Sequence, residues 1–115
     1  AIEYLESEGW NVSDTSAGTF DLTCDKNGKT LLVEVKGTQS EFAKVNLTKN
    51  EVSGHRINCD SNALIIISEI SLDNNNTPSG GMRHVQYNWY PEDDDLVATQ
   101  FTYYVDEKDF IVEQI

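Results

Sequence analysis

The sequence of 115 residues predicts an α/β (α+β) domain in which helices flank a mixed β-sheet. Asn27-Gly28 stands between two runs that alternate apolar and polar residues, which predicts an antiparallel hairpin with a type I′ turn. Thr48 and Glu51 have the spacing of a capping box, which predicts the start of a helix. Residues 63–67 are all apolar, as expected for a central strand that is buried on both faces.

The chain before the hairpin predicts one short helix and one strand. Residues 1–8 place Ile2 and Leu5 on the same face of a helix, and Gly9 is a suitable residue to end it. Residues 10–12 follow as a first strand. The predicted order is therefore a helix, three strands, a second helix and the buried strand.

The hairpin of residues 20–37 is expected to bring three ionisable side chains together. Its two-residue turn fixes the register and sets Asp21 directly opposite Glu34. Because side chains alternate between the two faces of a strand, Lys36 lies on the same face as Glu34. Two carboxylates and an amine should therefore converge.

The opposed carboxylates of Asp21 and Glu34 predict a site for a divalent metal ion. Directly opposed residues have Cβ atoms roughly 4.5–5.5 Å apart, and like charges there repel unless a positive charge lies between them. Magnesium typically binds one or two carboxylates together with waters and substrate phosphates. Lys36 could then hold the attacking water or neutralise the charge on a phosphate under attack.

The second helix should be short, because Gly54 weakens it and Asn58 is a suitable end. Its N-terminus suits a phosphate, so Lys49 and Asn50 are candidate substrate contacts. The alternative is that Glu51 only serves the cap and that Lys49 is merely exposed.

Three further predictions concern residues near this helix. We expect His55 to lie at the surface or to be half-buried rather than to act as a base. Gln39, in a polar loop over residues 37–41, either touches substrate or is an ordinary loop glutamine. Residues 42–47 alternate weakly and predict a short strand or an extended loop.

The second half of the chain is predicted from pattern alone. Residues 73–81 indicate a flexible polar turn, and residues 82–90 indicate a strand. The acidic run 91–95 is interpreted as solvated charge. Residues 99–105 predict a last strand, and residues 106–115 predict an edge strand or a short terminal segment.

The net charge of −12 is unusual for a protein that acts on nucleic acid, since such proteins are expected to carry a basic face. Residues 26–56 contain six of the eight basic residues and only three acidic ones, so this segment has a net charge of +3. The acidic surplus elsewhere resembles the surfaces of halophilic proteins. The alternative is an acidic role as a DNA mimic or a protein-binding surface.

Cys24 and Cys59 are too few for a disulfide framework or a cysteine metal site, so we expect reduced thiols and a cytoplasmic protein. No run approaches the roughly 18 apolar residues that a membrane span needs. The chain begins without Met in the middle of a helical pattern. We therefore expect residues 1–115 to be one domain cut from a longer protein.

An aspartate followed by Glu-x-Lys on the next strand resembles the signature of the PD-(D/E)XK nuclease superfamily. The matching residues are Asp21 and Glu34-Val35-Lys36, although the separate Pro-Asp pair is absent. Within that superfamily the chain resembles the NO VEIN C-terminal domain, a nuclease-like module that is often fused to helicases or ATPases. Three stretches carry this resemblance, namely residues 18–22 (Gly-Thr-Phe-Asp-Leu), 33–38 (Val-Glu-Val-Lys-Gly-Thr) and 47–51 (Leu-Thr-Lys-Asn-Glu).

The resemblance implies a restriction-endonuclease-like fold and hydrolysis of phosphodiester bonds. It implies that Asp21, Glu34 and the Val35 carbonyl hold Mg²⁺ or Mn²⁺, and that Lys36 positions or activates the attacking water. Nucleases of this kind often take a further glutamate from the first helix, for which Glu3 and Glu6 are the candidates.

The implied partners are nucleic acid, with DNA favoured over RNA, and a fused or associated helicase or ATPase; a homodimer is also considered. A domain that has lost activity and serves as a docking or nucleic-acid-binding module is the alternative function. The uncertain helix glutamate and the overall acidity favour that alternative.

Overall fold

The structure, a computed structural model, describes residues 1–41 and 44–115, apart from the side chain of Glu107. Its main feature is a mixed five-stranded sheet that contains, in spatial order, β1 (Asn11–Asp14), β2 (Leu22–Lys26), β3 (Lys29–Gly37), β4 (Asn62–Ser68) and β7 (Met82–Tyr87). The central pair β3 and β4 is parallel and the other pairs are antiparallel. The predicted mixed α+β class is therefore confirmed, and the architecture is consistent with a restriction-endonuclease-like fold.

The hairpin between β2 and β3 has the predicted turn and register. Asn27 and Gly28 have φ angles of 51° and 79°, as a type I′ turn requires at both central positions. Lys26 pairs with Lys29, and the ladder continues to the pair Leu22 and Val33. Asp21 lies one residue beyond the last pair of this ladder.

The two faces of the sheet have different coverings. One face packs against Leu5 of helix α1 (Ile2–Ser7) and contains the larger apolar cluster. The opposite face contains a smaller cluster of Leu64, Ile66 and Trp89 together with the buried polar residues. The larger cluster consists of Leu5, Leu22, Cys24, Leu31, Val33, Ala63 and Ile65.

Helix α2 (Lys49–Ile57) has the predicted capping box and ends at Asn58. The Thr48 hydroxyl accepts the Glu51 N–H at 3.1 Å, and the Glu51 carboxylate accepts the Thr48 N–H at 2.8 Å. A Cβ atom at Gly54 would lie 2.9 Å from Cγ2 of Thr19. Glycine therefore allows the helix to approach the loop before β2 closely.

The polar turn after β4 is more structured than its composition suggests. It is bracketed by a two-stranded sheet of β5 (Ser71–Leu72) and β6 (Pro78–Ser79). The Asp73 carboxylate accepts the N–H groups of Asn75 and Thr77 at 2.8 and 2.9 Å, which closes the turn. The hydrogen bonds of Asp73 are local, but no pattern in the sequence indicates the two paired strands.

The predicted strand over residues 99–105 is wrong. These residues have no regular structure, and the side chains of Phe101 and Tyr103 are exposed. A strand needs a neighbour to satisfy its backbone groups, and no described strand pairs with this segment. Residues 106–115 form no edge strand either; they match the terminal-segment alternative, with a short 3-10 helix at Glu107–Asp109.

Two further segments differ slightly from prediction, and one can be compared only in part. The predicted strand over residues 82–90 ends early at Tyr87, and Asp93–Asp95 forms a short 3-10 helix within the acidic run. Of the uncertain element at residues 42–47, the first two positions lie outside the described residues, while residues 44–47 have no helix or strand and fit the extended-loop alternative.

Both cysteines are free thiols, as expected. No helix in the described part of the chain has the length and apolar character that crossing a membrane requires.

Replacing the capping threonine should destabilise the domain. We expect Thr48→Ala to lower the free energy of unfolding by about 1 kcal/mol, because the Glu51 N–H loses its acceptor. Urea denaturation of Ser53→Ala, an exposed position in the same helix, provides the matched control. Equal loss of stability in both variants would contradict this role for the cap.

Candidate active site

Asp21 directly precedes β2, and its carboxylate contacts the neighbouring strand β3. Oδ2 of Asp21 accepts the backbone N–H of Val35 at 2.8 Å. The side chain is half-buried. Asp21 is therefore held beside the middle residue of the Glu-x-Lys stretch.

Glu34 and Lys36 lie on the same face of β3, as the alternation of the strand predicts. Nζ of Lys36 lies 3.4 Å from Oε2 of Glu34. The Glu34 side chain is fully buried, whereas that of Lys36 is 22% exposed. Lys36 therefore lies between the buried carboxylate of Glu34 and solvent.

Glu51 also contacts this cluster of Asp21, Glu34 and Lys36, although the sequence predicted it only as part of the helix cap. Nζ of Lys36 donates to both carboxylate oxygens of Glu51, at 3.1 and 3.2 Å. The same carboxylate accepts the Thr48 N–H. The capping box therefore also fixes the position of the lysine.

The prediction that His55 is exposed or half-buried is wrong. Its side chain is fully buried, and Nε2 lies 3.1 Å from Oε1 of Glu34. The rings of Phe20 and Trp89 pack against it, with centroid distances of 5.0 and 4.8 Å. The spacing of four residues between Glu51 and His55 puts both on one helix face, which is the sequence signal that could have indicated this position.

The buried Asn62 determines which nitrogen of His55 carries the proton. Oδ1 of Asn62 accepts the Trp89 N–H, and its amide group donates to the Trp89 carbonyl, both at 2.8 Å. The amide orientation is thereby fixed, and Nδ2 also donates to Nδ1 of His55 at 3.0 Å. His55 must therefore donate its Nε2 proton to Glu34.

The pKa of Glu34 is raised to about 7. Burial is the largest cause, the hydrogen bond from His55 opposes it, and the nearby carboxylates of Glu51 and Asp21 raise it further. Oε2 of Glu34 makes no hydrogen bond in the described part of the chain, so Lys36 meets it as an ion-pair partner only.

Lys36 and Glu51 are held in their charged forms. Burial by itself lowers the pKa of Lys36, but the hydrogen bond to Glu51 and the attraction of both glutamates outweigh it, and the net direction is upward. Burial would raise the pKa of Glu51, yet the neighbouring Glu34 and the hydrogen bonds from the Thr48 backbone and from Lys36 lower it to about 2. Lys36 is therefore an ammonium group.

The predicted substrate contacts lie at the surface. Gln39 is exposed in the loop after β3, and Lys49 and Asn50 are exposed in the first turn of α2. Within residues 1–41 and 44–115, none of the three makes a hydrogen bond or ion pair with Glu34 or Lys36. Their predicted contact with substrate stays a prediction.

A cavity of about 530 Å³ opens on the opposite face of the sheet beside Asp21. Glu3 of α1, Asp14 and Val35 also line it. Hydrogen bonds from Ser16 lower the pKa of Asp14. Of the two candidate helix glutamates, Glu3 lines this cavity and Glu6 does not. Asp21 lies at the edge of the cavity, on the side nearer to Glu34.

In the described residues, no group of three or more His, Cys, Asp or Glu side chains could hold a metal ion. Two carboxylates remain as candidate metal ligands. Oε2 of Glu34 is a buried oxygen without a hydrogen bond, and the Asp21 carboxylate lies at the end of the adjacent strand. Two carboxylates completed by water satisfy the ligand preferences of Mg²⁺.

One of three comparisons with known proteins found a match. The family described as "Protein NO VEIN, C-terminal" matches residues 1–79. The matched segment includes Asp21, Glu34, Lys36 and all of helix α2. Searches of curated proteins and of solved structures gave no match.

The stability of the metal-free protein should depend on the ionisation of Glu34. The pKa of this carboxyl is 4.5 without the influence of the fold and about 7 in the folded chain, so its contribution is fully present below pH 4.5 and is lost as the pH rises to 7. Because one pKa unit corresponds to about 1.4 kcal/mol, the loss should be roughly 3 kcal/mol.

Urea denaturation between pH 4 and pH 8 with a chelator present measures this effect. Glu34→Gln should remove this part of the pH dependence, whereas Glu113→Gln, at an exposed position, should retain it. Parallel curves for wild type and Glu34→Gln would show that Glu34 does not carry the effect.

Proposed function

The chain belongs to the NO VEIN C-terminal family, and from this premise we propose that it is a metal-dependent nuclease that hydrolyses phosphodiester bonds at Asp21, Glu34 and Lys36. The observation that carries the proposal is the convergence of these groups across one hairpin. Nζ of Lys36 lies 3.4 Å from Glu34, and Asp21 binds the backbone between them. A carboxylate pair with an adjacent ammonium suits reactions at a phosphate group.

Asp21 and Glu34 would hold Mg²⁺ or Mn²⁺, with the Val35 carbonyl as a further oxygen ligand. The bound ion would lower the pKa of a coordinated water and offset negative charge on the phosphate. Glu34 must lose its proton to act as a ligand, and its pKa of about 7 places that loss near neutral pH.

Lys36 would orient the attacking water and stabilise the charge that develops on the phosphate. Its raised pKa keeps it protonated, so it acts as a hydrogen-bond donor and not as a base. Glu51 holds its ammonium group from the helix side, and His55 orients Glu34 through the Nε2 proton. Glu51 and His55 are therefore positioning residues in this proposal.

We propose nucleic acid as the substrate, with DNA favoured over RNA. The segment 26–56 has a net charge of +3 and includes the exposed Lys49 and Asn50, which would contact the phosphate backbone. Gln39, in the loop directly after β3, would lie near the same strand. A fused or associated helicase or ATPase would supply the substrate, and a homodimer is compatible with this role.

A specific observation favours a second function, in which the domain only docks other molecules. Glu34 is fully enclosed, and its Oε1 is already bound to His55. Together with the net charge of −12, this burial is compatible with a nuclease-like domain that has lost its activity.

Metal titration by calorimetry separates the two functions. We expect Mg²⁺ or Mn²⁺ to bind wild type more tightly at pH 8 than at pH 6, because a proton on Glu34 competes with the ion. Asp21→Asn and Glu34→Gln should abolish this binding. Asp25→Asn, which removes an exposed carboxylate on β2, should leave the binding unchanged. Absence of binding to wild type would favour the docking function.

Cleavage of labelled DNA and RNA tests the role of Lys36 directly. Lys36→Ala should lower kcat on the order of 100-fold, as expected when a charge-stabilising donor is removed. Lys29→Ala, at an exposed position at the start of β3, is the matched control. The assay should be run at low and high salt, because an acid-rich protein can require salt to fold. Undiminished cleavage by Lys36→Ala would refute the proposed site.

A further inference from the structure

A second cavity, of about 550 Å³, lies on the face of the sheet that carries Glu34 and Lys36. Leu64 and Ile66 of β4 line its floor, and Trp89 and Tyr90 line one wall. Neither the family match nor the nuclease signature assigns it a role.

The floor of the cavity lies one strand away from the candidate active site. Leu64 pairs with Glu34 and Ile66 pairs with Lys36, and paired strands are about 4.8 Å apart. The side chains of all four residues are on the same face of the sheet. Trp89 contacts both the cavity and the candidate active site, because the centre of its ring lies 4.8 Å from that of His55.

The aromatic wall is held in place before any ligand arrives. The guanidinium of Arg56 lies 5.4 Å from the centre of the Tyr90 ring. Arg56 itself donates to the Pro91 carbonyl at 2.8 Å and pairs with Asp93 at 2.6 Å. Tyr90 is nevertheless 45% exposed, so its ring is available for stacking.

The charges around the cavity disfavour an anionic ligand and suit a ligand that carries hydrogen-bond donors. Glu92 and Asp95 line it together with a single cation, Lys44, among the described residues. This balance disfavours a phosphate inside the cavity. Gln86, also on the lining, has an amide group that makes no hydrogen bond in the described part of the chain.

We propose that this cavity binds one nucleobase of a single-stranded nucleic acid, next to the phosphate held at Lys36. The base stacks on Tyr90, and its exocyclic amino group donates to Asp95 or Glu92, so cytosine is preferred over thymine. This inference rests on the proposed function, since that function places the phosphate at Lys36.

Binding of fluorescently labelled octamers of deoxycytidine and of deoxythymidine tests the inference. The full chain is titrated with a chelator present, so that no cleavage occurs, and anisotropy is measured. Tyr90→Ala should weaken binding about tenfold, as the loss of one stacked base predicts, whereas Tyr90→Phe should bind like wild type. Tyr104→Ala, at an exposed position after the last strand, is the matched control.

A second pair of variants tests the base preference. Asp95→Asn should reduce the preference for the cytosine octamer, while Asp94→Asn should preserve it, because Asp94 is adjacent in sequence but does not line the cavity. Both substitutions remove one negative charge, so any general gain in affinity for nucleic acid cancels in this comparison.

Each outcome decides the inference separately from the proposed function. Tyr90-dependent binding without any cleavage would support the base site and reject hydrolysis. Cleavage with wild-type binding by Tyr90→Ala would reject the base site and leave the nuclease intact. A dimer, seen by sedimentation and abolished in Tyr90→Ala, would show that a second copy occupies the cavity and would overturn the inference.

Discussion

The buried carboxylate of Glu34 is the constraint on which the rest of the structure depends. Its side chain is fully enclosed on the central strand, where an unpaired charge would be very costly. The fold compensates with a hydrogen bond from His55, an ion pair with Lys36 and a pKa raised to about 7. His55 of α2 therefore supplies the hydrogen bond that this buried carboxylate needs.

The parallel pairing of β3 with β4 explains why α2 supplies these partners. Parallel neighbours need a crossover connection, and the chain between them contains α2. The other face of the sheet is packed against Leu5 of α1, so the crossover helix covers the face that carries Glu34. A spacing of four residues then directs Glu51 and His55 to the same region. The sheet topology thus places the partners of Glu34 and Lys36.

Patterns in the sequence predicted the first half of the chain better than the second, and the reason is physical. The hairpin and α2 are specified by residues that contact each other within a few positions. A strand is specified by its neighbour, which the sequence does not identify; residues 99–105 alternate like a strand but have no partner among the described strands. His55 was misplaced for a related reason, because its burial depends on Phe20 and Trp89, which are distant in the chain.

By itself, the sequence determined the type I′ turn at Asn27-Gly28, the register of the hairpin as far as the pair Leu22 and Val33, and the capping box at Thr48. Each of these follows from local backbone conformation and short-range hydrogen bonds. Only the tertiary structure decided that Glu51 reaches Lys36, that His55 donates to Glu34, and that a cavity adjoins both. Those contacts join residues from different elements, and their geometry is set by how the helix packs on the sheet.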